Sequence, residues 1–235
     1  MRRIAVLGLG SFGYHLACVL GDLGTDVLAV DNKIERVESI KDKVSRAICL
    51  DTTKEENLAR ISLDEMDAVI VALGESSIES SILTTALIAK MDIPMIISRS
   101  TTELHGRILK MVGAKEIINP EEDVAKRVAQ RVAEPGILDL LSISKDGFAI
   151  SELVTPAQFV GKSLADLNLR GKYGLNVVAI KRICHDDGTE DEDESCKNHE
   201  TINHNPGPDA LLEEGDILVC LGKVDNIETL AQMES

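Results

Sequence analysis

Ile4-Ala5-Val6-Leu7-Gly8-Leu9-Gly10-Ser11-Phe12-Gly13 decides the fold of this 235-residue chain. Four consecutive apolar residues read as a strand buried on both faces, and the three glycines after it stand at the spacing of a tight strand-to-helix turn. The first glycine is needed for the turn, the second for close approach of a pyrophosphate to the backbone, and the third for packing of helix against strand. A second apolar run, Val27 to Val30, ends in Asp31, 18 residues after Gly13. An acid there can accept hydrogen bonds from both ribose hydroxyls, and a 2′-phosphate would face an unscreened carboxylate. The pattern therefore predicts a site for an adenosine nucleotide or NAD and not for NADP. Backbone N–H groups at the start of the helix, with the positive end of its dipole, supply the attraction for phosphate.

Outward from this turn the chain keeps alternating. Short β-branched runs at Ile4–Leu7, Val27–Val30, Arg46–Leu50, Ala68–Leu73, Pro94–Ser98 and Glu116–Ile118 are separated by helix-period stretches. This is the signature of a parallel sheet covered by helices on both faces. Ile78, Ile82, Ala86 and Ala89 recur at helical spacing, as do Val124, Val128 and Val132, so each set is expected to lie on the sheet. Asn119-Pro120-Glu121-Glu122-Asp123 reads as a helix start, with a capping Asn, Pro in the first turn and acids at the positive pole. Pro135-Gly136 breaks that helix, and beyond it Phe148–Val154, Asn176–Lys181 and Asp216–Leu221 read as strands between turn residues. The expected fold is α/β: a Rossmann-like doubly wound parallel sheet (1–134), a linker (135–147) and a small α+β C-terminal domain (148–235).

Composition narrows the function. With 40 acids against 25 bases, a net charge of −15 argues against a nucleic-acid partner and against anionic membrane surfaces. The longest apolar runs are strand-sized and no apolar signal segment opens the sequence, so a soluble, cytoplasmic protein is expected. Cys18, Cys49, Cys184, Cys196 and Cys220 are odd in number and scattered, which fits a reducing compartment. There is no Trp and few other aromatics, so no stacking platform for bases is written into the chain. Seven acids fall between Asp186 and Glu194, and this acidic insertion, about 185–205, reads as a solvated loop. Cys184, His185, Cys196, His199 and His204 gather soft ligands around it at spacings that match no compact zinc pattern. An NAD-dependent oxidoreductase is the alternative function, but it needs a proton donor beside the nicotinamide, and the first domain offers only His15 and His105.

The glycine turn, Ala29-Val30-Asp31, Leu50-Asp51-Thr52-Thr53, Val69 to Gly74, Ser81-Ile82-Leu83-Thr84-Thr85 and Ile117-Ile118-Asn119-Pro120-Glu121 together resemble the Trk/Ktr regulatory subunits of bacterial potassium uptake systems. Leu164 to Leu167 and Leu169 to Arg182 are similar to that family's C-terminal domain. The resemblance implies RCK domains, which regulate K⁺ conductance, and a gating subunit rather than an enzyme. Homodimers would assemble into an octameric ring under a membrane-embedded K⁺-translocating subunit, on the inner face of the membrane. It also implies that Gly8, Gly10, Ser11, Phe12 and Gly13 wrap the phosphates, and that Asp31 with Asn32 holds the ribose. Asp51, Thr52, Thr53, Ala72, Leu73 and Gly74 would line the adenosine pocket, with Arg99 near the phosphates and Glu121 facing a divalent cation. Ser11 stands where close relatives carry arginine, which turns the expected ligand from ATP toward ADP, AMP or NAD(H). In the C-terminal domain, Leu169, Arg170, Asn176 and Val177 match positions that hold cyclic di-AMP in some relatives, the alternative being a plain dimerisation domain.

Overall fold

The computed structural model describes residues 1–74, 78–134, 136–144, 146–184 and 199–233. The chain divides into two compact units, Met1–Asp123 and Val124–Ser235. In the first, β1 (Arg3–Leu7), α1 (Ser11–Asp22), β2 (Asp26–Asp31), α2 (Ile34–Ile40), β3 (Arg46–Cys49), α3 (Glu55–Leu58) and β4 (Ala68–Val71) follow one another. They lead to α4 (Ile78–Ile88), β5 (Ile96–Arg99), α5 (Glu103–Met111), β6 (Glu116–Ile118) and α6 (Pro120–Ala133), the last of which runs on into the second unit. The sheet is parallel throughout, in the order β3-β2-β1-β4-β5-β6. Strand order reverses about β1, so a crevice opens beyond the carboxyl ends of β1 and β4.

Burial explains why these runs became strands. Leu7, Leu28, Val30, Val69 and Val71 belong to one aliphatic core, and Val6, Val27, Ala29 and Ile70 to another. Each fully buried Leu or Val contributes about 1.5–3 kcal/mol relative to exposure. The expected doubly wound sheet is therefore present, with β4 ending at Val71 so that Ala72 to Gly74 can leave it. Asn119 caps α6 as predicted: its Oδ1 accepts the Glu122 N–H at 3.3 Å.

Two apolar stripes do not lie where periodicity put them. α4 turns Ser81, Thr84, Thr85 and Ile88 to the sheet, and Ile78 is 40% exposed. The buried hydroxyls find partners there, Thr84 with Thr52 at 3.0 Å and Thr85 with Ser98 at 3.1 Å, which is what lets polar side chains displace the isoleucines. In α6 no described residue is buried, and Val124, Val128 and Val132 are all exposed. A helical period shows that a face needs covering, not what covers it.

The second unit holds a five-stranded antiparallel sheet in the order β10-β9-β11-β8-β7. Its strands are β7 (Ile137–Ser142), β8 (Phe148–Val154), β9 (Asn176–Cys184), β10 (His199–Asn203) and β11 (Ile217–Lys223). Short helices α7 (Leu164–Leu167) and α8 (Leu169–Tyr173) precede β9, and α9 (Val224–Ala231) closes the chain against β8 and β11. β7 lies inside the stretch read as a linker. Leu153, Phe159, Leu175, Leu218, Ile227 and Leu230 form the core. Asp216 is fully buried and held by Arg182, with Nε to Oδ1 at 2.7 Å and Nη2 to Oδ2 at 2.8 Å, and by the Glu213 N–H at 2.8 Å. Burial pushes its carboxyl up, but Arg182 and that N–H outweigh the penalty and hold it below the ordinary carboxylate value. The acidic run 186–194, with His185 and Cys196, lies outside the described residues.

Candidate functional site

The glycine turn does in space what its spacing promised. Gly8 has φ +101°, a left-handed conformation, and a Cβ there would come within 2.8 Å of Leu73. At Gly13 a Cβ would sit 1.9 Å from the Gly8 carbonyl oxygen, so helix α1 approaches β1 as closely as it does only because nothing is there. Gly10 is different: a Cβ at that position meets nothing within 4 Å. Its open side belongs to a cavity of about 190 Å³ at the carboxyl edge of the sheet.

Asp31 anchors one side of this cavity. Its carboxylate is buried and accepts three hydrogen bonds: from the Leu9 N–H at 2.7 Å, the Lys33 N–H at 2.9 Å and the Arg36 guanidinium at 3.1 Å. The first ties the glycine turn to the end of β2. Oδ2 carries two of these donors and Oδ1 one, so one acceptor position remains for a ribose hydroxyl rather than two. The carboxylate is also not unscreened, because Arg36 lies against it; the exclusion of a 2′-phosphate by bare charge does not hold here. Sequence reasoning missed Arg36 and Lys33, which line the cavity beside Asp31. The available signal was a pair of basic residues at the start of the helix that follows the acidic strand end.

On the strand next to β2, Asp51, Thr52 and Thr53 follow β3 and also line the cavity. Asp51 Oδ1 accepts the Thr53 hydroxyl at 2.7 Å and the Thr53 N–H at 3.0 Å, and these bonds hold its carboxyl below the usual range. Thr52 joins the segment to α4 through Thr84. Ala72, Leu73 and Gly74 form the wall after β4, and Arg99, the last residue of β5, closes it. The Arg99 side chain is 12% exposed; Nη2 donates to Glu121 Oε1 in the first turn of α6, and the guanidinium lies 5.8 Å from the Phe12 ring centroid.

The structure thus gathers Gly8, Gly10, Asp31, Asn32, Asp51, Thr52, Thr53, Ala72, Leu73, Gly74 and Arg99 around one cavity, with Val30, Lys33, Arg36, Leu50 and Ser80 added. Ser11, Phe12 and Gly13 are not in its lining: Ser11 is exposed, Phe12 supports Arg99 from outside, and Gly13 is buried under the turn. Neither His15 nor His105 lines the cavity. His105 is buried in α5, and burial pushes its pKa down. Glu121 has Arg99 for a neighbour, and among the described residues no three His, Cys, Asp or Glu side chains gather to hold a metal ion. Among the described residues, Glu121 therefore has no further protein ligands gathered around it for a cation. In the second unit, Leu169, Arg170, Asn176 and Val177 share a separate concavity of about 440 Å³ with Asn168, Pro206 and Pro208.

Fold and site define a class: a Rossmann-type domain with a glycine-turn cavity at its carboxyl edge, carrying a small antiparallel α+β domain. Residues 4–120 match the TrkA-N domain family. The chain is 33% identical over 226 residues to Ktr system potassium uptake protein C of Bacillus subtilis, covering 96% of this chain and 94% of that one. It is 33% identical over 227 residues to protein A of the same system in B. subtilis, covering 97% and 94%. It is 32% identical over 226 residues to protein A of Vibrio alginolyticus, covering 96% and 94%. The solved GsuK channel superposes with a TM-score of 0.53 at 21% identity, over 99% of this chain and 38% of that one, a likeness of fold. The chain belongs to the family of Ktr system potassium uptake proteins.

Proposed function

We propose that the chain is the regulatory subunit of a potassium uptake system: an adenine nucleotide bound at the carboxyl edge of the parallel sheet is read out as shape, and that shape controls K⁺ flux through a membrane-embedded partner. The carrying observation is the glycine-turn cavity with buried Asp31 on one side and Arg99 on the other, in a chain one third identical to Ktr proteins over nearly its whole length. Adenosine would lie between the Asp31 and Asp51 segments, with phosphates toward Gly10 and the start of α1. With Ser11 exposed and outside the lining, Arg99 is the cation at that end, which favours ADP, AMP or NAD(H) over ATP. The nucleotide acts as a signal, not a substrate. A divalent cation would need phosphate oxygens to complete its ligands around Glu121.

A ligand shifts a population only by preferring one state, and moving it from 1:99 to 99:1 takes about 5.5 kcal/mol. Shared over eight sites of an octamer, that is roughly 0.7 kcal/mol each. Exposed apolar side chains, Ile78 and Leu83 on α4 and Leu104 and Met111 on α5, support assembly of homodimers into such a ring. The subunit would be cytoplasmic and held at the membrane through its partner. The test is Rb⁺ flux through a Ktr membrane subunit reconstituted in vesicles with this protein: flux should respond to ADP, AMP or NADH, and Asp31→Ala should remove the response. Flux indifferent to every adenine nucleotide would refute the assignment.

The grouping of Leu169, Arg170, Asn176 and Val177 supports a second ligand, cyclic di-AMP, in the C-terminal domain. Arg170→Ala should abolish its binding while leaving the first site intact; calorimetry with both ligands decides.

A further inference from the structure

Arg99 is placed between one anion, Glu121, and the cavity. Its side chain lies in the cavity wall, its Nε is buried without a partner among the described residues, and its Nη1 would be 3.6 Å from a Cβ at Gly74. A guanidinium has five donors, and a buried one left idle is costly. Glu121, which takes Nη2, is instead 58% exposed and outside the cavity lining. A carboxylate that leaves such a pair is rehydrated at little cost, whereas Arg99 stays where it is. Gly10, Gly74 and Arg99 line the same cavity, so a phosphate held there would lie on the cavity side of the same guanidinium.

We infer that Glu121 is a specificity-determining residue: it competes with the ligand's phosphates for Arg99 and so sets how strongly the cavity favours charged over uncharged adenosine ligands. This rests on the adenine-nucleotide reading above. The competition works in both directions, because a phosphate that weakens the Arg99–Glu121 pair must itself be weakened by that pair to the same degree. Glu121 lies in the first turn of α6, which continues past residue 123 into the second unit, so the freed carboxylate acts on the segment that joins the two.

Calorimetry in EDTA, which silences any cation bound through Glu121, tests this with adenosine, AMP and ADP. Glu121→Gln keeps the shape of the side chain and removes its charge. It should bind AMP and ADP roughly three- to tenfold tighter than wild type and bind adenosine equally well. The gain should shrink at high salt and vanish on an Arg99→Gln background. Hydrogen exchange adds a readout that simple stabilisation would not move: ADP should deprotect the first turn of α6 in wild type and leave it unchanged in Glu121→Gln. Equal or weaker binding of the charged ligands to Glu121→Gln, with adenosine still bound, would overturn the competition alone. A wild-type protein that bound none of the three would overturn the nucleotide reading beneath it.

Discussion

In the parallel sheet β1, β2 and β4 are buried along nearly their whole length, whereas in the antiparallel sheet β8 and β11 alternate buried with half-buried residues. The first arrangement leaves few polar positions within the strands and concentrates the chemistry where they end: Gly8 after β1, Asp31 at the end of β2, Asp51 after β3, Ala72 after β4 and Arg99 at the end of β5. In the second, the half-buried face of β8 and β11 is itself mostly apolar, with Ile150, Val154, Ile217, Val219 and Leu221. The charged groups are paired within the unit, Lys181 with Glu152 across strands at 2.7 Å and Arg182 with buried Asp216. A parallel sheet thus builds one site at one edge, while an antiparallel sheet uses its charges to hold itself together.

Four changes would break or sharpen that contrast. Gly13→Ala forces a Cβ onto the Gly8 carbonyl and should cost the first unit on the order of 4 kcal/mol in urea unfolding. A loss below about 1 kcal/mol would mean the turn does not depend on that close approach. Arg182→Met strands the buried Asp216 carboxylate and should cost the second unit about 3 kcal/mol, with hydrogen exchange of β9 and β11 accelerated and the parallel sheet unaffected.

The same pair sets an acid limit. A carboxyl whose folded pKa is depressed stabilises the fold above its unfolded value, near 4, and loses that contribution as pH falls through the lower folded value. Circular dichroism from pH 7 to pH 2 should therefore show the second unit losing stability only below about pH 4. In Arg182→Met burial still pushes the Asp216 carboxyl up while its largest opposing partner is gone, so lowering the pH toward 4 should relieve part of the variant's penalty and narrow its gap to wild type. A gap that does not change with pH would remove the pair from the account. The smallest effect is chemical. Burial pushes the Cys220 thiol up to about 12, whereas Cys49 is exposed at the end of β3, so brief iodoacetamide treatment at pH 8 should alkylate Cys49 and spare Cys220. Equal labelling by peptide mass spectrometry would show the antiparallel core open.

Much of the site could be read along the chain for the reason the comparison gives. When every strand of a sheet ends at the same edge, the residues after successive apolar runs meet there, which is why Asp51 to Thr53 and Ala72 to Gly74, assigned to the pocket by the family resemblance, line one cavity. Arg36 and Lys33 depend on how α2 leaves β2, and periodicity carries no such information. The hydroxyl face of α4 depends on partners 13 and 32 residues away, Ser98 for Thr85 and Thr52 for Thr84. The Arg99–Glu121 pair joins residues 22 apart across a strand-to-helix connection, so each could be assigned a ligand separately while their pairing with one another stayed hidden.

Titration of ADP into the purified protein, compared with Asp31→Ala, tests the central claim most directly. The account predicts saturable binding of one ADP per chain, weakened at least about tenfold when the carboxylate that ties the glycine turn to β2 is removed. Absence of saturable ADP binding, or binding that Asp31→Ala leaves unchanged, would contradict it.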